Sequence, residues 1–426
     1  MPRPFLSRHF LGEQASCLAA VPFPVAGAAE DGVAQSHNIL ALGSWSEDAQ
    51  EHRLTIIDLV VGHSGDEIVR QPAVARLASF QHSGRVAAVE VADLGGGALA
   101  LLAASSDGAV SRLRMQVPTQ PGARPEDIQL RGEDFDGALL LPWLDAHTAA
   151  VTALAANSER RELLSAAADG SLAVTALEAD DAGSSQSLYA CSGAVSFSAA
   201  RWNGAHSAVT GSLQGLLHVW DTRQAGRPVL QLAQPTPGAA SATAPLGPPP
   251  AISCLDVHPA QHYCIATGGA DGGVALWDLR AASSAGTAGA AGAAAAQQAS
   301  QQQAGQGALV GCCSVATAGA AGGAAGGAVC DLRFEGASSI GSGAQRLVYC
   351  TSGGAIGLLR DVPAAAAGGS TGGGGSRPVG LPLARVLFRE PTAAVRACSL
   401  GAATGPCSQL FCVTDEEGLV YAANAL

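Results

Sequence analysis

The chain is predicted to be an all-β, seven-bladed β-propeller on three observations: a strand–turn–strand unit recurring seven times, an alternating run before each copy, and a spare alternating run at the N-terminus. The clearest copy is CIATGGADGGVALWDLR, Cys264 to Arg280. A small-residue strand leads into a tight Asp-Gly turn, and a second alternating strand ends in Trp-Asp. AVTGSLQGLLHVWDTR, Ala208 to Arg223, repeats the pattern.

Taken from the N-terminus, the first repeat pairs the run SCLAAVPF with a long-turned hairpin, Ile39 to Leu59. RVAAVEVAD precedes the copy Leu99 to Met115, and AVTALAAN precedes Arg161 to Leu177. AVSFSAARW and AISCLDVHP lead into the two clear copies. AVCDLRFE precedes Arg346 to Val362, and AVRACSL precedes Leu410 to Leu426. Each run alternates apolar and polar residues with the period of a half-buried strand, so seven inner strands match seven hairpins. Six turn pairs follow one another at Asp107-Gly108, Asp169-Gly170, Gln214-Gly215, Asp271-Gly272, Gly353-Gly354 and Glu417-Gly418, at steps of 62, 45, 57, 82 and 64 residues. A bare blade repeats at roughly 40–45 residues, so the excess is loop insertion.

One propeller is expected to occupy residues 1–426, with low-complexity insertions at 235–250, 281–327 and 363–380. The first is Pro/Ala-rich, the second Ala/Gly/Gln/Ser-rich and the third Ala/Gly-rich. Such segments have too few bulky apolar groups to offset the entropy of ordering, although the Ala content of 286–298 favours transient helix. The last repeat stops after its third strand at Leu426, and the alternating run Pro4 to Leu11 is the candidate fourth. Ring closure by this exchange would hide two strand edges.

Composition narrows the function. The 426 residues are 48% hydrophobic and carry a formal charge of -12, which argues against direct nucleic-acid binding. The basic residues are all Arg. Without Lys, P-loop and Schiff-base chemistry are excluded. The 11 Cys include no C-x-x-C; Cys254, Cys264, Cys330, Cys350 and Cys412 lie in apolar runs and read as small buried hydrophobes of a reducing compartment. Residues 17–29 imitate a signal peptide, but Pro22 and Pro24 interrupt the apolar run. No segment is long and apolar enough to suggest membrane insertion.

The Trp-Asp strand ends resemble those of WD repeats. In that family a blade is tied by a His before the inner strand, a Ser or Thr in the next strand, the turn Asp, and a Trp six residues beyond it. Thr267, Asp271 and Trp277 match one blade without a preceding His; Asp278 completes its Trp-Asp pair. His147, Ser165 and Asp169 match another, with Thr175 in place of Trp. Thr210, Trp220 and Asp221 accompany Gln214 in a third, and His82 with Asp107 form a reduced pair. No blade holds all four groups, so packing should matter more than this network. Recurrence at repeat spacing makes these sets structural, with no catalytic residues expected. No G-x-S-x-G, H-E-x-x-H or zinc-type Cys/His spacing occurs, and no cofactor, metal or small-molecule substrate is expected. Trp45, Trp143 and Trp202 fall at or near strand ends, where core packing and contact with a partner helix are the two readings.

From Trp220 to Arg280 the chain reads WDTRQAGRPVLQL, a loop, then ISCLDVHPAQHYCIATGGADGGVALWDLR; GSWSEDAQEHRLTIIDL matches the same pattern early on. These segments resemble the small WD-repeat nucleoporins of the Y-shaped, outer-ring scaffold of the nuclear pore complex. That resemblance implies a non-catalytic propeller at the nuclear envelope, docked on an α-solenoid nucleoporin and supporting pore assembly and nucleocytoplasmic transport. A second reading comes from the W-D-x-R tetrads ending in Arg223 and Arg280, which resemble adaptor-binding elements of cullin-RING ubiquitin ligase substrate receptors. Against it, each Arg has a carboxylate close enough in sequence to pair with locally.

Overall fold

Alternation at a period of two resolves into seven antiparallel sheets, one per repeat, in a computed structural model that describes residues 5–24, 34–46, 48–64, 67–178, 185–190, 194–224, 226–236, 248–281, 308–315, 327–335, 345–362, 385–389, 394–400 and 409–423. The chain is all-β, of the seven-bladed β-propeller class. Most of each expected insertion, and all of 286–298, lies outside the described residues.

Each blade is a meander of four strands, here a to d. Blade 1 comprises Gln14–Val21, Ala34–Ser46, Glu51–Ser64 and Glu67–His82. Blade 2 comprises Val86–Gly95, Ala98–Ser105, Ala109–Gln116 and Pro142–Asp145. Blade 3 comprises Val151–Asn157, Glu162–Ala167, Ser171–Ala176 and Ser185–Ala190. Blade 4 comprises Phe197–Trp202, Ser207–Ser212, Leu216–Asp221 and Leu230–Ala233. Blade 5 comprises Ile252–Val257, Cys264–Gly269, Gly273–Asp278 and Leu309–Ser314. Blade 6 comprises Val329–Phe334, Gln345–Thr351, Ala355–Val362 and Arg385–Arg389. Blade 7 takes strands a to c from Val395–Leu400, Gln409–Thr414 and Gly418–Ala423. Its fourth strand is Phe5–Phe10, antiparallel to strand c with Phe5 opposite Ala423 and Phe10 opposite Gly418. The N-terminal run thus completes the last blade.

The strands fall into two compact units, residues 1–193 with 393–426, and residues 194–392. In the first, Leu18, Leu40 and Leu59 of blade 1 pack on Phe411, Leu419 and Tyr421 of blade 7. Ile39, Leu54 and Ile56 of blade 1 meet Val89, Leu101 and Leu113 of blade 2, which in turn packs Leu102 and Val110 on Leu154 and Leu163 of blade 3. In the second unit, Val209, Leu217 and Val219 of blade 4 pack on Ile265 and Trp277 of blade 5. Blade 5 then sets Val274 and Leu276 against Leu332, Leu347 and Tyr349 of blade 6.

One device recurs in all seven blades. Near the start of strand a, one extra residue breaks the register with strand b: Ser16, Ala87, Thr152, Ser198, Ser253, Cys330 and Arg396. Such bulges sharpen local twist and re-aim the inserted side chain. The Ser16 hydroxyl lies 2.7 Å from the Val86 carbonyl of the next blade, Ser198 bonds the Ile252 carbonyl, and Ser253 bonds the Val329 carbonyl. In blades 1, 4 and 5, the three with a bulge serine, a glycine of strand b (Gly43, Gly211 and Gly268) sits beside the bulge and leaves room for the neighbouring blade. A Cβ at Gly268 would lie 2.5 Å from Cys254 Sγ and 2.7 Å from Val329 Cγ1.

Two features depart from the sequence reading. In blade 7 the left-handed turn residue is Glu417, at φ 58°, and Gly418 already belongs to strand c, its N–H bonded to Thr414 Oγ1. The turn therefore falls one residue earlier than Glu417-Gly418. The excursion between strands c and d of blade 2, not singled out by composition, is ordered: Gln129–Leu130 pairs with strand c, and Leu139–Leu140 pairs with the outer strand of blade 1. Phe135 anchors it, its ring 4.9 Å from Phe80.

Candidate functional site

The polar repeat residues converge most completely in blade 3. Asp169 caps its own turn by accepting from the Ser171 N–H at 2.8 Å and the Ser171 hydroxyl at 2.5 Å, and reaches back to the N–H and hydroxyl of Thr148, both at 2.8 Å. Ser171 then meets His147 Nδ1, while His147 Nε2 lies 2.8 Å from the Ser165 hydroxyl. Burial lowers the His147 pKa against the opposing pull of Asp169, so the imidazole is held neutral. Burial alone would raise the Asp169 pKa, but the bonds from Ser171 and Thr148 outweigh it and hold the carboxyl well below the usual range. The order Asp–Ser–His–Ser differs from a nucleophile triad, in which the carboxylate orients the imidazole directly. Ser165 is fully buried, its hydroxyl turned to His147. Thr175 does not stand in for the missing Trp: its hydroxyl turns to Ser185 at 3.1 Å.

Blades 4 and 5 keep the Trp end of the set. Trp220 Nε1 donates to Thr210 Oγ1 at 2.9 Å, and Trp277 Nε1 donates to Thr267 Oγ1 at 2.9 Å. In blade 4 the Gln214 side chain accepts from the Ser196 N–H, and His218 stacks on Trp220; burial depresses His218 to about 4. In blade 5 the position without a His is filled by Gln234, buried after the last strand of blade 4, whose Oε1 accepts from Thr267 at 2.7 Å. Asp271 caps its turn at the Gly273 N–H. Sequence spacing hid Gln234. It precedes Thr267 by 33 residues where His147 precedes Ser165 by 18, because the Pro/Ala-rich insertion lies between. In blade 2, His82 and Asp107 do not hydrogen-bond each other. His82 Nδ1 faces the Gly84 carbonyl at 2.8 Å, while Asp107 accepts from Ser83 and Ala109 and acts on His82 through charge.

Both W-D-x-R arginines close on their own carboxylates. Arg223 forks onto Asp221 at 2.9 and 2.8 Å, and Arg280 onto Asp278 at 3.0 and 2.8 Å, with its guanidinium 3.5 Å from the Tyr263 ring centroid. The Arg223 hydrogen bonds hold Asp221 near 2. Trp45, Trp143 and Trp202 are all half-buried; Trp45 packs on His52 at 4.6 Å, and Arg112 covers Trp143 at 4.4 Å. Burial pushes the Cys264 and Cys313 thiols up to about 12, making them poor thiolates. Among the described residues no cluster of three His, Cys, Asp or Glu could hold a metal ion, and no helix is long and apolar enough to cross a membrane.

Comparison with known proteins agrees with this frame. Residues 246–278 match the WD domain, G-beta repeat family. The chain is 27% identical over 250 residues to the nuclear pore complex protein NUP43 of Arabidopsis thaliana, a match covering 57% of this chain and 63% of that protein. It is 36% identical over 72 residues to nucleoporin Nup43 of Mus musculus, covering 17% and 16% of the two chains, and 36% identical over 66 residues to that of Homo sapiens, covering 16% and 15%. The chain thus spans less than two thirds of the length of these curated relatives. It is a WD-repeat β-propeller similar to the nucleoporins of the Nup43 type.

Proposed function

We propose that this chain is a non-catalytic scaffold subunit of the nuclear pore complex, located at the nuclear envelope. In this reading it docks on an α-solenoid nucleoporin of the Y-shaped outer ring and supports pore assembly and nucleocytoplasmic transport. The observation that carries it is the 250-residue match to the Arabidopsis protein, long enough to run through several blades. The chemistry agrees: the His, Ser and Asp groups of blade 3, and the Thr and Gln groups of blade 5, are spent on hydrogen bonds to one another. A propeller then serves by its loops and rims.

Imaging a fluorescently tagged copy in its own cells tests the reading. A punctate nuclear rim is expected; diffuse cytoplasmic signal would overturn it. Nothing in the local pairing of Arg223 and Arg280 favours the cullin adaptor alternative.

A further inference from the structure

The hydroxyl residue that ties blades 3, 4 and 5 has a different counterpart in blade 7. The second strand pair beyond the bulge sets Leu154 opposite Ser165, Ala200 opposite Thr210 and Leu255 opposite Thr267, an apolar residue of strand a facing the hydroxyl residue of strand b. In blade 7 both members of that pair are cysteines, Cys398 and Cys412. Ala422, opposite Leu410, stands where blades 4 and 5 carry their Trp opposite Ala208 and Ile265. Among the described residues no other two cysteines are opposed in register.

The register brings the two thiols within bonding reach. Pairs along an antiparallel ladder alternate between hydrogen-bonded and non-hydrogen-bonded, and the latter hold their Cα atoms about 4.5 Å apart with the side chains closest. Bonds from the Asn203 N–H to the Ser207 carbonyl, from His258 to Cys264 and from Glu335 to Arg346 set the count in blades 4, 5 and 6: the second pair beyond the bulge is non-hydrogen-bonded in each. Cys398 and Cys412 occupy that same place. A disulfide needs Cα atoms roughly 4.4–6.8 Å apart, so these strands can accept one without sliding or separating. Directly opposed residues also share one face of a sheet. Ala397, Phe411 and Tyr421 take the other face, packed on blade 1, and both cysteines are 0% exposed on theirs.

We propose that Cys398 and Cys412 are a reversible dithiol–disulfide couple that staples strands a and b of the blade completed by the N-terminal strand. The structure holds the dithiol form, the resting state in a reducing compartment. The oxidant is hydrogen peroxide, small enough to enter when the hairpin opens locally. Either thiolate attacks one peroxide oxygen; the S–O bond forms as the O–O bond breaks, leaving a sulfenic acid and a hydroxide that takes up the proton lost by that thiol. The opposed thiolate then attacks the sulfenic sulfur, the S–S bond forms, the S–O bond breaks, and the departing hydroxide takes up the second proton. Two thiols and one peroxide thus give one disulfide and two waters. A thiol reductant such as glutathione reverses the step by exchange.

The bridge closes a loop over the 13 residues from Ser399 to Phe411, which restricts the unfolded chain more than the folded one. In a chain of this size the oxidised form should melt roughly 2–4 °C higher than the reduced form. The couple stands apart from the pore reading, whose failure would leave it intact.

The test treats the purified full-length chain with hydrogen peroxide, blocks the remaining thiols with N-ethylmaleimide in denaturant, digests with chymotrypsin without reduction and maps linked peptides by mass spectrometry. Cleavage after Leu400 and after Leu410 or Phe411 releases Cys398, Cys407 and Cys412 on separate peptides. Cys407, outside the described residues, is the competing partner. A Cys398–Cys412 link is expected as the main product, lost on treatment with dithiothreitol and retained in Cys407→Ser. Reducing the linked Cys407→Ser chain should lower its melting temperature by roughly 2–4 °C. Cys398→Ala taken through the same treatment should show no such shift, and wild type kept reduced throughout is the control that needs no substitution. Absence of the Cys398–Cys412 link, a link from either residue to Cys407 in its place, or a melting temperature unchanged by reduction would each overturn the proposal.

Discussion

Thr267 is the residue whose loss should disturb blade 5 most for the smallest change in shape. Its hydroxyl accepts the Trp277 indole N–H at 2.9 Å and donates to Gln234 Oε1 at 2.7 Å, and all three residues are buried. Thr267→Val keeps the branched shape but strands a buried donor and a buried acceptor at once. Each unsatisfied group costs about 1–3 kcal/mol, so the substitution should destabilise by about 2–6 kcal/mol. Blade 4 supplies the control. Thr210 accepts from Trp220 Nε1 and has no counterpart of Gln234 among the described residues, so Thr210→Val strands one group and should cost about half as much. Urea unfolding followed by tryptophan fluorescence reports both variants, because Trp220 and Trp277 are each 1% exposed. Equal losses, or no loss at Thr267, would refute the assignment of Gln234 as the group that replaces the missing His.

Other perturbations follow from the same structure. Deleting residues 1–12 removes six cross-strand pairs between Phe5–Phe10 and Gly418–Ala423 and bares a strand edge; at roughly 0.2–1 kcal/mol per pair the loss is about 1–6 kcal/mol, and an unchanged melting temperature would count against the exchange. Gly268→Ala forces a Cβ to within 2.5 Å of Cys254 Sγ and should cost about 1–3 kcal/mol by the same unfolding assay. His218 titrates near 4 when folded and near 6.5 when unfolded, so the unfolded chain takes up the proton first. Stability from this ring is complete above pH 6.5 and declines by about 3 kcal/mol as pH falls towards 4; a wild-type urea midpoint that falls no further than that of His218→Phe over this window would contradict the burial of a neutral ring. Arg223→Ala with Arg280→Ala should leave the set of co-purifying proteins unchanged, and loss of a cullin adaptor from that set would restore the ubiquitin-ligase reading.

Legibility in the sequence tracked how local each signal was. The Asp-Gly turns and Trp-Asp ends are set by neighbours in the chain, and the structure places hairpins at each of them. The inner strand Ile252–Val257 begins one residue inside the run AISCLDVHP, because period-two alternation needs no tertiary information. The last turn lies one residue before the Glu417-Gly418 pair that the repeat pattern implies, because the backbone puts the left-handed conformation on a non-glycine, Glu417, and gives Gly418 to the strand. Gln234 and the Phe135–Leu140 excursion were not legible. The first is separated from its partner by an insertion of arbitrary length, and the second forms strands of two residues, too short for any periodicity. The bulge serines were equally silent: Ser16 and Ser253 find their carbonyl partners 70 and 76 residues away.

Affinity isolation of a tagged copy expressed at its native level, with quantitative mass spectrometry, addresses the proposed scaffold role head-on. Outer-ring nucleoporins recovered in near-equal amounts with the tagged chain are the expected result. Their absence, with a cullin and its adaptor or no stable partner in their place, would contradict it.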